Sequence, residues 1–355
     1  MIEILESIFK PTIIVLGIFL FCYFFINRQS KSNYWLALMN LVISFHFLNL
    51  FLLDKILLSH FGMAFGLMYG PLIFHFVKSH LSENNGKSWI HFVPAFFLVL
   101  WIFGGEYFKW TTTIAELTIL QVGVFLHIGI YLFQAYKSSK HYEAIAFQTR
   151  SQLDDDKIKL IQYNILFIGV LFLVSMIHSY TELGSLNGIN QLLTLTISFI
   201  ILIGMLIIIY QGMDKPHFYS SITPHEKELA SEVNQYAGST LTDESTNIKL
   251  ERLKHVMKSE KPYKLENISI DKLAEITDIP SRHLSQIINQ RLDQNFFDFI
   301  NSHRIKDAQK QLESPSIRVS EVMYEVGFSS RSSFNTAFKK YTGMTPSQYR
   351  KSRIK

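Results

Sequence analysis

Residues Val319 to Tyr341 read VSEVMYEVGFSSRSSFNTAFKKY, and this stretch decides what the C-terminal part of the chain is built from. Val319, Val322, Met323 and Val326 recur at helical spacing, Gly327 offers a residue able to take positive φ, and Phe334, Ala337, Phe338 and Tyr341 resume the spacing. The pattern predicts a short helix, a tight turn and a second helix, with Ser329 placed to cap the second. It also occurs upstream, where Ile270, Leu273 and Ala274 precede a break at Asp278 to Pro280, and Leu284, Ile287 and Ile288 follow it. Between the two units, Phe297, Ile300, Ile305, Ala308 and Leu312 mark one longer helix from about Asn295 to Leu312, without Gly or Pro inside it.

Eighteen residues at about 1.5 Å rise span about 27 Å, so with the helix radii added the two second helices can stand about one DNA turn apart. Charge agrees with a polyanion as partner. From Ile248 onward there are 20 Lys/Arg and 12 Asp/Glu, and from Val326 to Lys355 seven basic residues and no acidic one. The candidate contact residues are Ser281, Arg282, His283, Gln286 and Asn289 in the first unit. In the second they are Ser330, Arg331, Ser332, Asn335, Thr336, Lys339 and Lys340. Arg pairs with guanine and Asn or Gln with adenine, while hydroxyls and the two lysines suit phosphate. Double-stranded DNA is therefore the expected partner.

The first 210 residues are a different material. They hold 12 Lys/Arg and 11 Asp/Glu, against 22 and 18 in the remainder, and the whole chain is 48% hydrophobic but only 18% charged. Seven stretches supply the roughly 20 apolar residues that a bilayer-crossing helix needs. They run approximately Ile8 to Ile26, Tyr34 to Leu53, Ile56 to Val77, Trp89 to Gly105, Leu117 to Tyr136, Leu160 to Tyr180 and Ile189 to Tyr210. One set of connections carries nine Lys/Arg and the alternate set three, which predicts the N-terminus outside and the C-terminal domain in the cytoplasm. The fold class expected is all-α, a seven-helix transmembrane bundle followed by two helix-turn-helix units on a long helix. Residues 211–247 form a polar, net acidic linker in which His225 to Tyr236 suits a helix.

Within the spans, Gly62, Gly66 and Gly70 at four-residue spacing fit close helix packing, in the bundle or in a dimer. His46, His75, His91, His127 and His178 admit two readings: ligation of haem or metal, or interhelical hydrogen bonds, the second favoured because no ligand spacing repeats. Glu116 and Glu182 are candidates to line the mouth of a ligand site. Cys22 is the only cysteine, which excludes a disulfide framework and a thiolate zinc module. No nucleophile, metal or phosphate-loop motif is recognisable, so neither catalysis nor a cofactor is expected.

Several segments together identify a resemblance: Lys261-Pro262-Tyr263, His283-Leu284-Ser285-Gln286, Asn295 to Asn301, Arg304-Ile305, Glu325 to Phe328, Phe338-Lys339-Lys340 and Thr345-Pro346-Ser347 with Tyr349-Arg350. They make the segment from about Ile248 to Lys355 similar to the DNA-binding domain of the AraC/XylS family of transcriptional regulators. The whole chain resembles that family's membrane-tethered subset. The resemblance implies bacterial transcription control from the inner membrane, with two recognition helices corresponding to Ser281 to Asn289 and Ser330 to Tyr341. Gln311, Met323, Thr277 and the order Pro280-Ser281 depart from the family pattern, and the last leaves Ser281 to cap its helix. The expected function is a one-component regulator whose bundle senses a small molecule or a membrane-protein signal, with a homodimer left open. A transporter or membrane enzyme with a regulatory protein-binding tail is the alternative.

Overall fold

The computed structural model describes residues 2–27, 31–52, 61–79, 81, 87–108, 114–151, 155–183, 187–214, 222–235, 243–314 and 317–353. Among them the regular structure is helical, with one isolated bridge between Arg150 and Ser269 and no strand. The chain divides into two compact units, one of residues 1–140 and 159–221, the other of residues 141–158 and 222–355.

The first unit is built from α1 (Ile2–Ile26), α2 (Lys31–Leu52), α3 (Phe61–Ser79), α4 (Val93–Phe108), most of α5 (Ile114–Thr149), α6 (Asp155–Leu183) and α7 (Asn187–Asp214). α1 packs on α2 and α7, and α3 on α2 and α4, around Leu20, Phe24, Ala37, Ile73 and Phe76. Its outside is as apolar as its inside: Phe19, Phe97, Phe133, Leu166 and Leu206 are all exposed. Among the described residues, six helices are long and apolar enough to cross a membrane. α3 begins at Phe61, and the first residues of its apolar stretch, 56–60, lie outside the described residues. The glycine ladder of α3 meets other helices of the same unit. A Cβ on Gly66 would lie 3.0 Å from Val124 and one on Gly70 3.0 Å from Tyr131, so small size is what permits this approach.

Three histidines in this unit, His46, His91 and His178, are hydrogen-bonded to other elements. His46 Nδ1 lies 2.8 Å from the Tyr69 hydroxyl, His91 Nδ1 2.7 Å from that of Tyr131, and His178 Nε2 2.9 Å from Thr194 Oγ1. His75 instead stacks on Trp35, with ring centroids 4.6 Å apart. No group of three or more His, Cys, Asp or Glu among the described residues is placed to hold a metal ion. Glu116 is exposed, and the side chain of Glu182 lies outside the described residues.

The second unit contains the end of α5, from His141, then α8 (Pro224–Gln235), α9 (Asp243–Ser259), α10 (Ile270–Thr277), α11 (Ser281–Gln290), α12 (Phe296–Leu312), α13 (Val319–Glu325), α14 (Arg331–Thr342) and α15 (Pro346–Arg353). It has two cores. Leu253, Leu273, Leu284, Ile287 and Ile288 pack with Phe296, Phe299 and Ile300 from the first half of α12. Val322, Val326, Phe334, Phe338 and Tyr349 pack with Ile305, Ala308 and Leu312 from its second half. One uninterrupted helix therefore belongs to both cores. Its N-terminus is fixed by Asn295, whose side chain accepts from the Asp298 amide.

His303 sits between these cores on α12, stacked on Tyr263 and edge-on to Phe299. Burial, helped by Lys306, lowers its pKa from 6.5 to about 4, so the folded ring stays neutral where an unfolded one takes a proton. Stability is thus complete above pH 6.5 and falls as the pH drops toward 4. Hydrogen-exchange protection of α12 amides in the intact chain should be lower at pH 5 than at pH 7, by at most about 2 kcal/mol after correction for intrinsic rates. His303→Gln should flatten the difference.

Candidate nucleic-acid interface

Two helix pairs carry the sequence-predicted contact residues. In the first, α10 ends at Asp278, whose φ of 54° turns the chain, and α11 begins after Pro280. Thr277, in place of an apolar residue, is fully buried and its hydroxyl donates to the Leu273 carbonyl at 2.8 Å, so the turn satisfies it internally. In the second, α13 ends at Val326, Gly327 takes φ 96°, and α14 starts at Arg331. Met323 fits the second core at 4% exposure.

Two capping expectations need correction. α14 is capped by Ser330, which accepts from the Ser333 amide at 3.2 Å; Ser329 lies one residue too early, before the chain becomes extended at φ −131°. Ser281 does not cap α11. It already lies inside the first turn, and its hydroxyl donates to Asp271 Oδ1 at 2.5 Å.

The two outer faces differ. On α14, Arg331, Ser332, Thr336 and Lys339 are exposed and Asn335 is half-buried, above an inner face of Phe334, Ala337 and Phe338. Arg331 and Lys339 have no hydrogen-bond or ion-pair partner among the described residues. Lys340 is exposed but engaged: its ammonium donates to Asp298 Oδ1 at 2.6 Å, beside the Tyr341 hydroxyl, which donates to the Asp298 carbonyl. On α11, Arg282 is exposed and Gln286 and Asn289 are half-buried. Gln286 donates to Gln290, and Asn289 donates to the Ser285 carbonyl. His283 Nδ1 accepts from Lys249 at 3.0 Å, and burial together with Lys249 and Arg282 lowers its pKa, so it presents no positive charge at neutral pH. Its part in any contact is that of a neutral hydrogen-bonding ring.

One organising residue was named in sequence only within a family motif. Arg304 is fully buried on α12, and its Nε donates to the Tyr263 carbonyl at 2.7 Å. Its Nη2 donates to the carbonyls of Leu265 and Glu266 at 2.8 and 3.1 Å, and its guanidinium lies over the Phe328 ring. The signal was periodic: Arg304 follows Ile300 and precedes Ala308 by four residues each, on the stripe that faces the cores. Arg350 on α15 has its Nε and Nη2 buried without a hydrogen-bond partner among the described residues.

Residues 273–352, which include both helix pairs, match the helix-turn-helix domain family. An uncharacterized HTH-type transcriptional regulator of Staphylococcus aureus strain COL is 34% identical over 85 residues, which are 24% of this chain and 11% of that protein. The corresponding protein of strain MRSA252 shows the same identity and coverage. The Msm operon regulatory protein of Streptococcus mutans is 27% identical over 127 residues, 35% of this chain and 45% of that protein. The chain thus spans about a tenth of the Staphylococcus relatives and under half of the Streptococcus one. No solved structure matches it.

Proposed function

We propose that this chain is a membrane-bound transcription regulator of the AraC/XylS type, whose C-terminal domain binds promoter DNA sequence-specifically through two helix-turn-helix units. The first unit is α10 with α11, the second α13 with α14. In this reading a bundle of seven spans lies in the bacterial inner membrane with the N-terminus outside, and its response to a signal changes DNA occupancy by the cytoplasmic domain. Such a response requires a signal that binds two bundle states with different affinity. The regulatory names of the Staphylococcus and Streptococcus relatives support the assignment. So do the exposed large apolar residues of the first unit, which in water would be an aggregation liability.

The observation that carries the reading is the outer face of α14. Arg331 and Lys339 stand exposed on a helix that is capped at Ser330 and rooted by Phe334 and Phe338, which is the build of a rigid probe for a major groove. Genome-wide crosslinking supplies the sites, and binding of the intact chain in lipid nanodiscs to those duplexes then tests the roles. Arg331→Ala should cost about 1–3 kcal/mol at a selected site and relax one base position. Lys339→Ala should weaken selected and random duplexes alike and reduce the slope of log affinity against log salt by about one. Lys339 takes this role because Lys340 is held by Asp298. Equal losses for both variants on all sequences would contradict the division, and no duplex binding at low salt would contradict the function.

A further inference from the structure

Sequence hydropathy ends the fifth apolar stretch near Tyr136, but α5 runs on to Thr149 without a break, and from His141 it belongs to the second unit. Its end is held there by side chains and backbone together. Arg150 Nε and Nη2 donate to Glu226 Oε1 and Oε2 at 2.6 and 2.9 Å, a two-pronged ion pair. The Ser151 amide donates to the Ile268 carbonyl, and the Ser151 carbonyl accepts from Asn301 of α12. Phe147 packs edge-on against Phe297 at 5.2 Å.

Glu226 is also the start of α8. Its carboxylate accepts from the Thr223 amide at 2.7 Å while the Thr223 hydroxyl accepts from the Glu226 amide, a reciprocal cap. Glu226 is 7% exposed. Burial alone would raise its pKa, but Arg150 and Thr223 hold it below the ordinary 4.5, so the pair is fully charged at neutral pH.

α8 lies against α11, the first reading helix of the function proposed above. Leu229 joins the core of Leu284, Ile287 and Ile288, and His225 Nε2 lies 3.1 Å from Asp271 Oδ1, the oxygen that receives the Ser281 hydroxyl at the start of α11. α8 is acidic, with Glu226, Glu228 and Glu232 against Lys227. Beside a helix meant for a phosphate-lined groove, negative charge repels the duplex. On the second pair the acidic residues are Glu321 and Glu325 of α13, which packs on α14.

We propose that α8 is an autoinhibitory helix, held against the first reading helix by the Arg150–Glu226 pair, through which the membrane helix α5 controls how far α11 engages DNA. This rests on the DNA-binding reading. Movement of α5 that pulls Arg150 from Glu226 would free α8 and carry its negative charge away from α11, leaving α14 to hold the duplex in either state.

The test uses the full chain in phosphatidylcholine nanodiscs and a random-sequence duplex of about 40 base pairs, titrated across salt concentrations. Arg150→Gln and Glu226→Gln each remove the ion pair, the second keeping a side chain able to cap α8. Each should tighten binding about tenfold and steepen the salt dependence, and the double variant should do no more than either alone. Hydrogen exchange should rise in α8 but not in α12. Glu228→Gln, at an exposed position of α8, should tighten binding about twofold through its charge. A parent that binds duplex, with all three single variants binding it no more tightly, would overturn the autoinhibitory role and leave the DNA-binding reading standing. If neither the parent nor any variant bound duplex at low salt, both would fall. Binding gained only on breaking the pair would support both.

Discussion

Arg304→Ala is expected to abolish ordered packing of both helix pairs, although the residue has no place on either outer face. The change leaves the buried Tyr263 carbonyl without its donor, at about 1–3 kcal/mol, and removes the part-buried bonds to the carbonyls of Leu265 and Glu266. It also empties the volume of the largest fully buried side chain among the described residues and removes the cation from the Phe328 ring. A loss on the order of 4 kcal/mol is a large share of what a domain of this size possesses. Because α12 belongs to both cores, hydrogen-exchange protection should fall in α11 and in α14 together. Arg304→Met separates the two causes. It restores most of the volume but none of the hydrogen bonds, so it should recover less than half of the loss. Burial lowers the Arg304 pKa to about 10, with Glu266 opposing the shift, and the group remains a cation at neutral pH. Arg304→Lys therefore keeps the charge but reaches at most one of the carbonyl directions, and it should fail nearly as badly as the methionine. If Arg304→Met kept parental protection throughout, the forked hydrogen bonding would be irrelevant to the fold.

The same residue shows how much the amino-acid order discloses. Helical spacing alone placed α10 to α14 within a residue or two, because each element buries a stripe of Leu, Ile, Val or Phe that has no other face to turn inward. Spacing also put Arg304 on that stripe, but which carbonyls it serves depends on the path of residues 262–266, and no periodicity encodes that path. Ser329 and Ser330 are equivalent cappers by chemistry, and only the point where the chain becomes extended selects the second. The polar segment after the last apolar stretch reads as a connector because its charge is net acidic. Within it, however, Leu229 and Ala230 are adjacent apolar residues, and both are buried in α8. The outward side chains of α14 are open as its helical wheel requires. His283 of α11 and the charge on Lys340 are not, because their partners, Lys249 and Asp298, are distant in sequence, while Gln286 and Asn289 bond to Gln290 and Ser285 of their own helix. Local pattern fixes which face looks outward; long-range pairing fixes which groups on that face are already engaged.

Gly327→Ala is the second change expected to have a large effect, and Gly343→Ala on the other end of α14 is its control. Both glycines have positive φ, 96° and 77°, and an alanine at either loses about 1 kcal/mol or somewhat more from that alone. Their surroundings differ. A Cβ at 343 meets nothing within 4 Å, whereas one at 327 would lie 2.8 Å from the carbonyl oxygens of both Tyr263 and Lys264. Those oxygens are backbone, and the Tyr263 carbonyl is the one Arg304 Nε holds, so they cannot swing aside as a flexible side chain would. The turn of the second pair must instead move off the 262–265 segment, carrying Phe328 away from the guanidinium it covers. The expected cost is about 3 kcal/mol or more for Gly327→Ala against about 1 kcal/mol for Gly343→Ala, read from hydrogen exchange in α14 of the intact chain. Affinity for a selected duplex should follow the same order, since a displaced turn misaligns Arg331 and Lys339 even in molecules that remain folded. Equal costs at the two glycines would mean that the close approach of the second turn to residues 263 and 264 contributes nothing, and that φ alone governs both positions.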